Sequence, residues 1–241
     1  MLNSGDNAPT RFGSLSAFAP AISVAMHKEA GLYDVALRED GLLPGTLIGT
    51  ASGWRGVETI QPGDLVLTFD NGMQRIEANH KVTIAQASLP AHKAFMMVIP
   101  AGVLGNRKQI TLLPCQEVIV ESDLAEIDFG EPFVLIQALM LEGYGGIHRA
   151  PITGDVTVHM LTFASEQVIH CAGAALVSAR AESDFSPLHA AAAVGASSDT
   201  PRLNLSQLHR IAENLKQDAA CTGFAAHAAS FTYAAADSRF A

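Results

Sequence analysis

Between Gly41 and about Arg180 the chain is cut into short apolar, β-branched runs by turn dipeptides at close intervals, and this texture decides the fold class. Runs this short read as strands, because a globular helix needs about 8–20 residues with a 3.6-residue period to bury a face. The clearest unit is Asp64-Leu-Val-Leu-Thr-Phe69, then Asp70-Asn71-Gly72, then Met73 to Ile76. Asn-Gly tolerates positive φ at both central positions of a type I′ turn, so a hairpin with that turn is expected. Further strands are expected at 46–49, 82–85, 95–99, 109–113, 117–120, 132–136, 156–163, 167–171 and 175–177. Trp54, within Ser52-Gly-Trp-Arg-Gly56, is expected in a turn, packed over the hairpin. No strand–helix–strand alternation appears, which argues against a parallel α/β sheet and for an all-β fold.

Three zones follow from the change of texture. Residues 1–40 read as an N-terminal lead-in, with a short helix opened by Pro20 and stopped at Gly31. Residues 41–180 are the β domain, and residues 181–241 an Ala-rich helical appendage. Within the appendage, Thr200-Pro201 reads as an N-cap and first helical position. Leu205, Leu208, Ile211, Ala212 and Leu215 then recur at helical spacing, opposite Gln207, Arg210, Glu213, Asn214 and Gln217. That face is expected to pack on the chain's own body; self-association through the 201–219 helix is the alternative.

Charge and composition narrow the function classes. With 24 acidic against 15 basic residues, a net charge of −9 and no basic run, the chain has no stripe for nucleic acid or an anionic membrane surface. The longest apolar run, Ala94 to Leu104, falls far short of the about 20 residues that a spanning helix needs. The first residues lack the basic and then apolar stretches of a secretory signal, so the expected location is cytoplasmic by default, with secretion by a signal-independent route left open. Cys115, Cys171 and Cys221 form no Cys-x-x-Cys pair. His148, His159 and His170 recur every eleven residues with no His-x-His or carboxylate cluster beside them. Neither metal nor cofactor is expected, and an unidentified protein partner stays open.

Pro44-Gly-Thr-Leu-Ile-Gly-Thr50, followed by Val57-Glu58 and Pro62-Gly-Asp-Leu-Val-Leu-Thr68, resembles the opening block of Hint domains, the hedgehog/intein family. A second block, Ile99-Pro-Ala-Gly-Val-Leu-Gly-Asn106 and then Leu112-Leu-Pro-Cys-Gln-Glu-Val-Ile119, is similar to the bacterial Hint pattern P-A-G-A-L-G-N, then V-S-P-Q-H-R-V-L. A third, Val156 to Ile169 followed by Ala172-Gly173, looks like that subfamily's closing strand, usually D-R-H-E-V-V and then A-N-G. The resemblance spans about Gly41 to Arg180. It implies a pseudo-twofold horseshoe of twisted antiparallel strands, and a chemistry of self-processing. In such domains a Cys or Ser at the first residue attacks the carbonyl before it, while a His protonates the departing amide nitrogen, a poor leaving group otherwise.

Carried over position by position, that pattern meets no reactive group. The nucleophile falls on Gly41. The first residue of the S-P-Q-H block falls on Leu113 and its His on Gln116, an amide with no proton to give near neutral pH. The D-R-H triplet falls on Ala164, Ser165 and Glu166, and the terminal His-Asn of splicing relatives on Ser178-Ala179. The resemblance therefore implies a scaffold without its reaction, acting as an interaction module. The alternative is self-processing near Gly41 by a non-standard nucleophile, for which Cys115, Glu166 and the Asp40-Gly41 bond are the candidates. His170-Cys171 is excluded as a pair, since neighbours on a strand face opposite ways.

Overall fold

In the computed structural model the described residues are 40–89, 91, 93–185 and 203–222. The expected Pro20 helix and the Thr200-Pro201 cap lie outside them.

In chain order the elements are β1 (Leu47–Thr50), β2 (Gly53–Gly56), β3 (Leu65–Thr68), β4 (Gly72–Arg75), β5 (Ala78–Ile84), β6 (Phe95–Ile99), β7 (Ile110–Leu112), β8 (Glu117–Glu121), α1 (Asp123–Phe129), β9 (Phe133–Gln137), β10 (His148–Pro151), β11 (Val156–Thr162), β12 (Gln167–Cys171), β13 (Ala175–Ala179) and α2 (Leu205–Thr222). The fold is all-β and its strand ladders are antiparallel. The large sheet runs β2-β1-β3-β12-β13-β8-β9 with β4 added to β3; β10-β6-β7 and β11-β5 form two smaller ones.

The central strands read as unbroken apolar runs because both their faces are covered. On β8, Val118 and Val120 enter the main core with Val134, Ile136, Ile169 and Val177, whereas Ile119 points the other way. There it meets Leu135, Val168 and Leu176 in a second cluster, flanked by Phe69 and Phe133, whose rings stand edge to face with centroids 5.3 Å apart.

Two local expectations need correction. The hairpin forms, but its register, Leu65↔Arg75 to Thr68↔Gly72, leaves a loop of residues 69–71 rather than a two-residue type I′ turn. Only Gly72 takes positive φ there (+64°), and Thr68 Oγ1 closes the loop by donating to the Gly72 carbonyl at 2.8 Å and accepting from the Asn71 amide at 3.2 Å. The Asn71 side chain is drawn off to Gln167 Oε1, 2.9 Å away on β12. Trp54 is likewise not in a turn but on β2, opposite Gly49, with its indole lying over that glycine on β1.

Two elements carried signals that went unread. α1 is capped by Ser122, whose hydroxyl accepts from the Ala125 amide, and stopped by Gly130 at φ +77°. α2 opens on a reciprocal capping box: Gln207 N–H donates to Asn204 Oδ1 at 3.0 Å, and Asn204 N–H to Gln207 Oε1 at 2.8 Å. Its Ile211, Ala212 and Leu215 are buried in the chain's own core, against the turns at Ala138–Leu141 and Tyr144–Gly146. Among the described residues no helix is long and apolar enough to cross a membrane.

Candidate functional site

Three stretches far apart in sequence build the site: the segment entering β1, the turn between β7 and β8, and the β11–β13 end of the molecule. Leu42 fixes the first against β11 by exchanging both backbone hydrogen bonds with His159, at 2.8 Å each. This holds Gly41, buried and at φ +136°, beside the turn in which the Gln116 amide closes on the Leu113 carbonyl at 3.0 Å. The Gly41 N–H then donates to Gln116 Oε1 at 2.9 Å. Gln116 Nε2 donates to the Ser178 carbonyl at 2.9 Å and to that of Glu117 at 3.1 Å. With Gln116 only 2% exposed, its orientation is set: oxygen toward residue 41, nitrogen toward β13.

On the upstream side, Arg180 Nε donates to Asp40 Oδ2, while Asp40 Oδ1 is buried with no hydrogen-bond partner among the described residues. A shallow groove runs between Asp40, Gly41, Gln116, Met160, Ser178 and Arg180, with room for little more than an ordered water.

The structure thus brings Gly41 and Gln116 together and places Leu113 in the turn behind them, 3% exposed. It does not bring in the other candidates. Cys115 is half-buried and does not line the groove. Ala164 is exposed in the β11–β12 turn. The Glu166 carboxylate, 3.4 Å from the Ser178 hydroxyl, also stands outside the groove. Alternation along the β12–β13 hairpin explains this, since Glu166 and Ser178 share the parity of Val168 and Leu176, which face the second cluster. Only the backbone carbonyl of Ser178 reaches Gln116. Cys115 and Glu166, the candidates for a non-standard nucleophile, therefore do not join Gln116 in the groove. Cys171 is in the main core, where burial pushes its thiol up to about 12, so it is no nucleophile.

Side chains around the groove are committed to structure. Asn79 Nδ2 donates to the carbonyls of Val57 and Ile60, both at 2.9 Å, which leaves its Oδ1 facing His159 Nδ1 at 3.0 Å. That oxygen can only accept, so the His159 ring carries its proton on Nδ1. Glu58 Oε2 accepts from the Gly45 amide at 2.8 Å, and this backbone hydrogen bond holds its carboxyl below the usual range. Val57 N–H donates to the Thr46 carbonyl at 2.9 Å, so the Pro44-Gly-Thr46 and Val57-Glu58 blocks form one turn-and-clasp unit.

Burial lowers the pKa of both His159 and His170, which favours their neutral form in the folded chain. Below about pH 6.5, the ordinary imidazole value, the unfolded chain gains protons that the folded chain refuses, so stability is lost as pH falls. The midpoint of urea unfolding is expected to drop between about pH 7 and about pH 5.5, above the carboxylate range, and less so in His170→Gln; a flat midpoint across that window would contradict the assignment.

A family model described as the Hint domain matches residues 41–183. The solution structure of a bacterial intein-like domain from Clostridium thermocellum is 14% identical, with 58% of this chain and 98% of that one covered and a TM-score of 0.43. The TvoVMA intein is 10% identical, with 58% and 97% covered and a TM-score of 0.42. No curated protein matches the sequence.

Proposed function

Because the chain belongs to the Hint domain family, we propose that it keeps the family's β body as a non-catalytic scaffold or interaction module and has lost self-processing. The Gly41–Gln116 hydrogen bond carries the reading. Self-processing would need a nucleophile on residue 41 to reach the Asp40 carbonyl, and a proton delivered to the nitrogen of Gly41 as the peptide bond breaks. Gly41 supplies no nucleophile. Gln116 accepts the proton already on that nitrogen, and its own N–H groups are spent on the carbonyls of Glu117 and Ser178. Both halves of the reaction are missing at the place where the family performs it, while the scaffold around them is intact. In this reading the chain works through contacts with another protein and needs neither metal nor cofactor.

One observation favours the alternative, self-cleavage near Gly41 by a non-standard nucleophile: the unpartnered Asp40 Oδ1 lies next to the bond in question. Cys115 and Glu166 lie outside the groove, which weighs against them as attackers. Gln116→His decides between the readings, since an imidazole there would supply the missing general acid and amplify any latent cleavage. The scaffold reading expects one intact chain from wild type and variant alike. Fragments meeting at Asp40-Gly41 would overturn it, and their loss in Cys115→Ala or Glu166→Ala would name the attacker.

A further inference from the structure

Gly41 lacks more than a thiol or a hydroxyl. A Cβ built on it would stand 3.1 Å from Met160 Cγ, 3.3 Å from Val158 Cβ and 3.4 Å from the His159 carbonyl oxygen. Its φ of +136° strains any L side chain. The obstacle is thus partly backbone and partly side chain, and the side-chain part comes from one strand. On β11, Val158 and Met160 share a face by alternation, and that face is turned on Gly41. Between them His159 makes its backbone pair with Leu42 and sends its ring to Asn79. Val158 is fully buried and meets that position with its Cβ, an atom the β11 backbone fixes in every rotamer, so it cannot retreat. Met160 is 7% exposed, and the atom it sets against that position is its mid-chain Cγ rather than a free end.

We infer that Met160, backed by Val158, is a positioning residue that keeps position 41 bare, so that the nucleophile's place is closed from β11 as well as vacated by residue 41. The inference rests on reading residue 41 as the family's nucleophile position. Replacing Gly41 alone would then crowd the site without giving the new side chain access to the Asp40 carbonyl.

The test is Gly41→Cys in the full chain, alone and combined with Met160→Ala or Met160→Leu. Thermal unfolding and the rate at which iodoacetamide labels the introduced thiol in the folded chain, followed by peptide mapping, are the readouts. Gly41→Cys alone is expected to lower Tm by about 5 °C or more. Adding Met160→Ala should cost less Tm on top of Gly41→Cys than Met160→Ala costs in the wild-type chain, and should speed labelling by about tenfold or more, because reaction no longer waits on local opening. Adding Met160→Leu, which refills the space, should leave labelling as slow as in Gly41→Cys alone. Equal labelling with and without Met160→Ala, or a Gly41→Cys chain as stable as wild type, would overturn the inference. If no Gly41→Cys chain folds, Gly41→Ala with and without Met160→Ala asks the same question through Tm: a combined loss smaller than the sum supports the closure, and strictly additive losses overturn it. Whether the wild-type chain cuts itself is read separately from its mass, so the two readings fail in different experiments.

Discussion

Asn106→Ala is expected to destabilise the chain by about 3 kcal/mol, a large loss for a polar substitution. Asn106 is 1% exposed and ends the Ile99-Pro-Ala-Gly-Val-Leu-Gly-Asn106 stretch. Its Nδ2 donates to the carbonyls of Pro100 at 2.9 Å and Lys108 at 2.7 Å, with Ile99 at 3.4 Å, while its Oδ1 accepts from the Leu104 amide at 3.0 Å. Alanine would strand the Leu104 amide and the Ile99 carbonyl, whose bonds to Asn106 are buried, and would free the Pro100 and Lys108 carbonyls, whose bonds to it are half-buried, from the clasp that shapes the loop. The loop also carries the neighbouring turn, since Arg107 N–H donates to Ala172 O at 2.7 Å and Ala174 N–H to Gly105 O at 3.0 Å. Gly105 and Gly173 pack there too closely for side chains. Urea unfolding measures the effect; a loss below about 1 kcal/mol would mean that the loop holds its shape without the Asn amide.

Gln116→Leu is expected to cost about 2 kcal/mol, because an apolar side chain of similar size leaves both the Gly41 amide and the Ser178 carbonyl without the side-chain amide that pairs them. Hydrogen exchange locates the damage: amides on β8 and β9 should speed up only by about thirtyfold, the factor that a global loss of about 2 kcal/mol imposes, while the Gly41 amide should lose about tenfold more protection than that. Exchange at Gly41 sped up by no more than the global factor would show that the Leu42–His159 backbone pair alone secures the segment.

How much of this was legible varies with where each element gets its stability. β6 and β12 coincide with the expected 95–99 and 167–171, because their apolar, β-branched residues specify strands locally. β2 and β10 do not, for opposite reasons. Gly53-Trp-Arg-Gly56 has almost no strand propensity and is extended because β1 pairs with it. His148-Arg-Ala-Pro151 ends in Pro on the rim of its sheet, where Arg149 lies 4.5 Å from the Phe95 ring centroid, a contact that no local pattern announces. At the site, the pairing of residues 41 and 116 could be read by position, since block spacing survives even when the reactive groups do not. Met160 and Arg180 could not be read so. Met160 matters through a missing Cβ, and Arg180 through an ion pair to Asp40 across 140 residues. Glu166 shows the reverse error: one residue of strand parity turned an expected groove residue onto the other face.

The central claim, a Hint fold without its reaction, is tested most directly by the intact mass of the freshly purified full chain, before and after a day with hydroxylamine or a thiol, which intercept esters and thioesters. The account predicts one unbroken chain with an unchanged mass in every sample. A pair of fragments whose masses meet between Asp40 and Gly41 would contradict it and show that the fold still cuts without a nucleophile at its first residue.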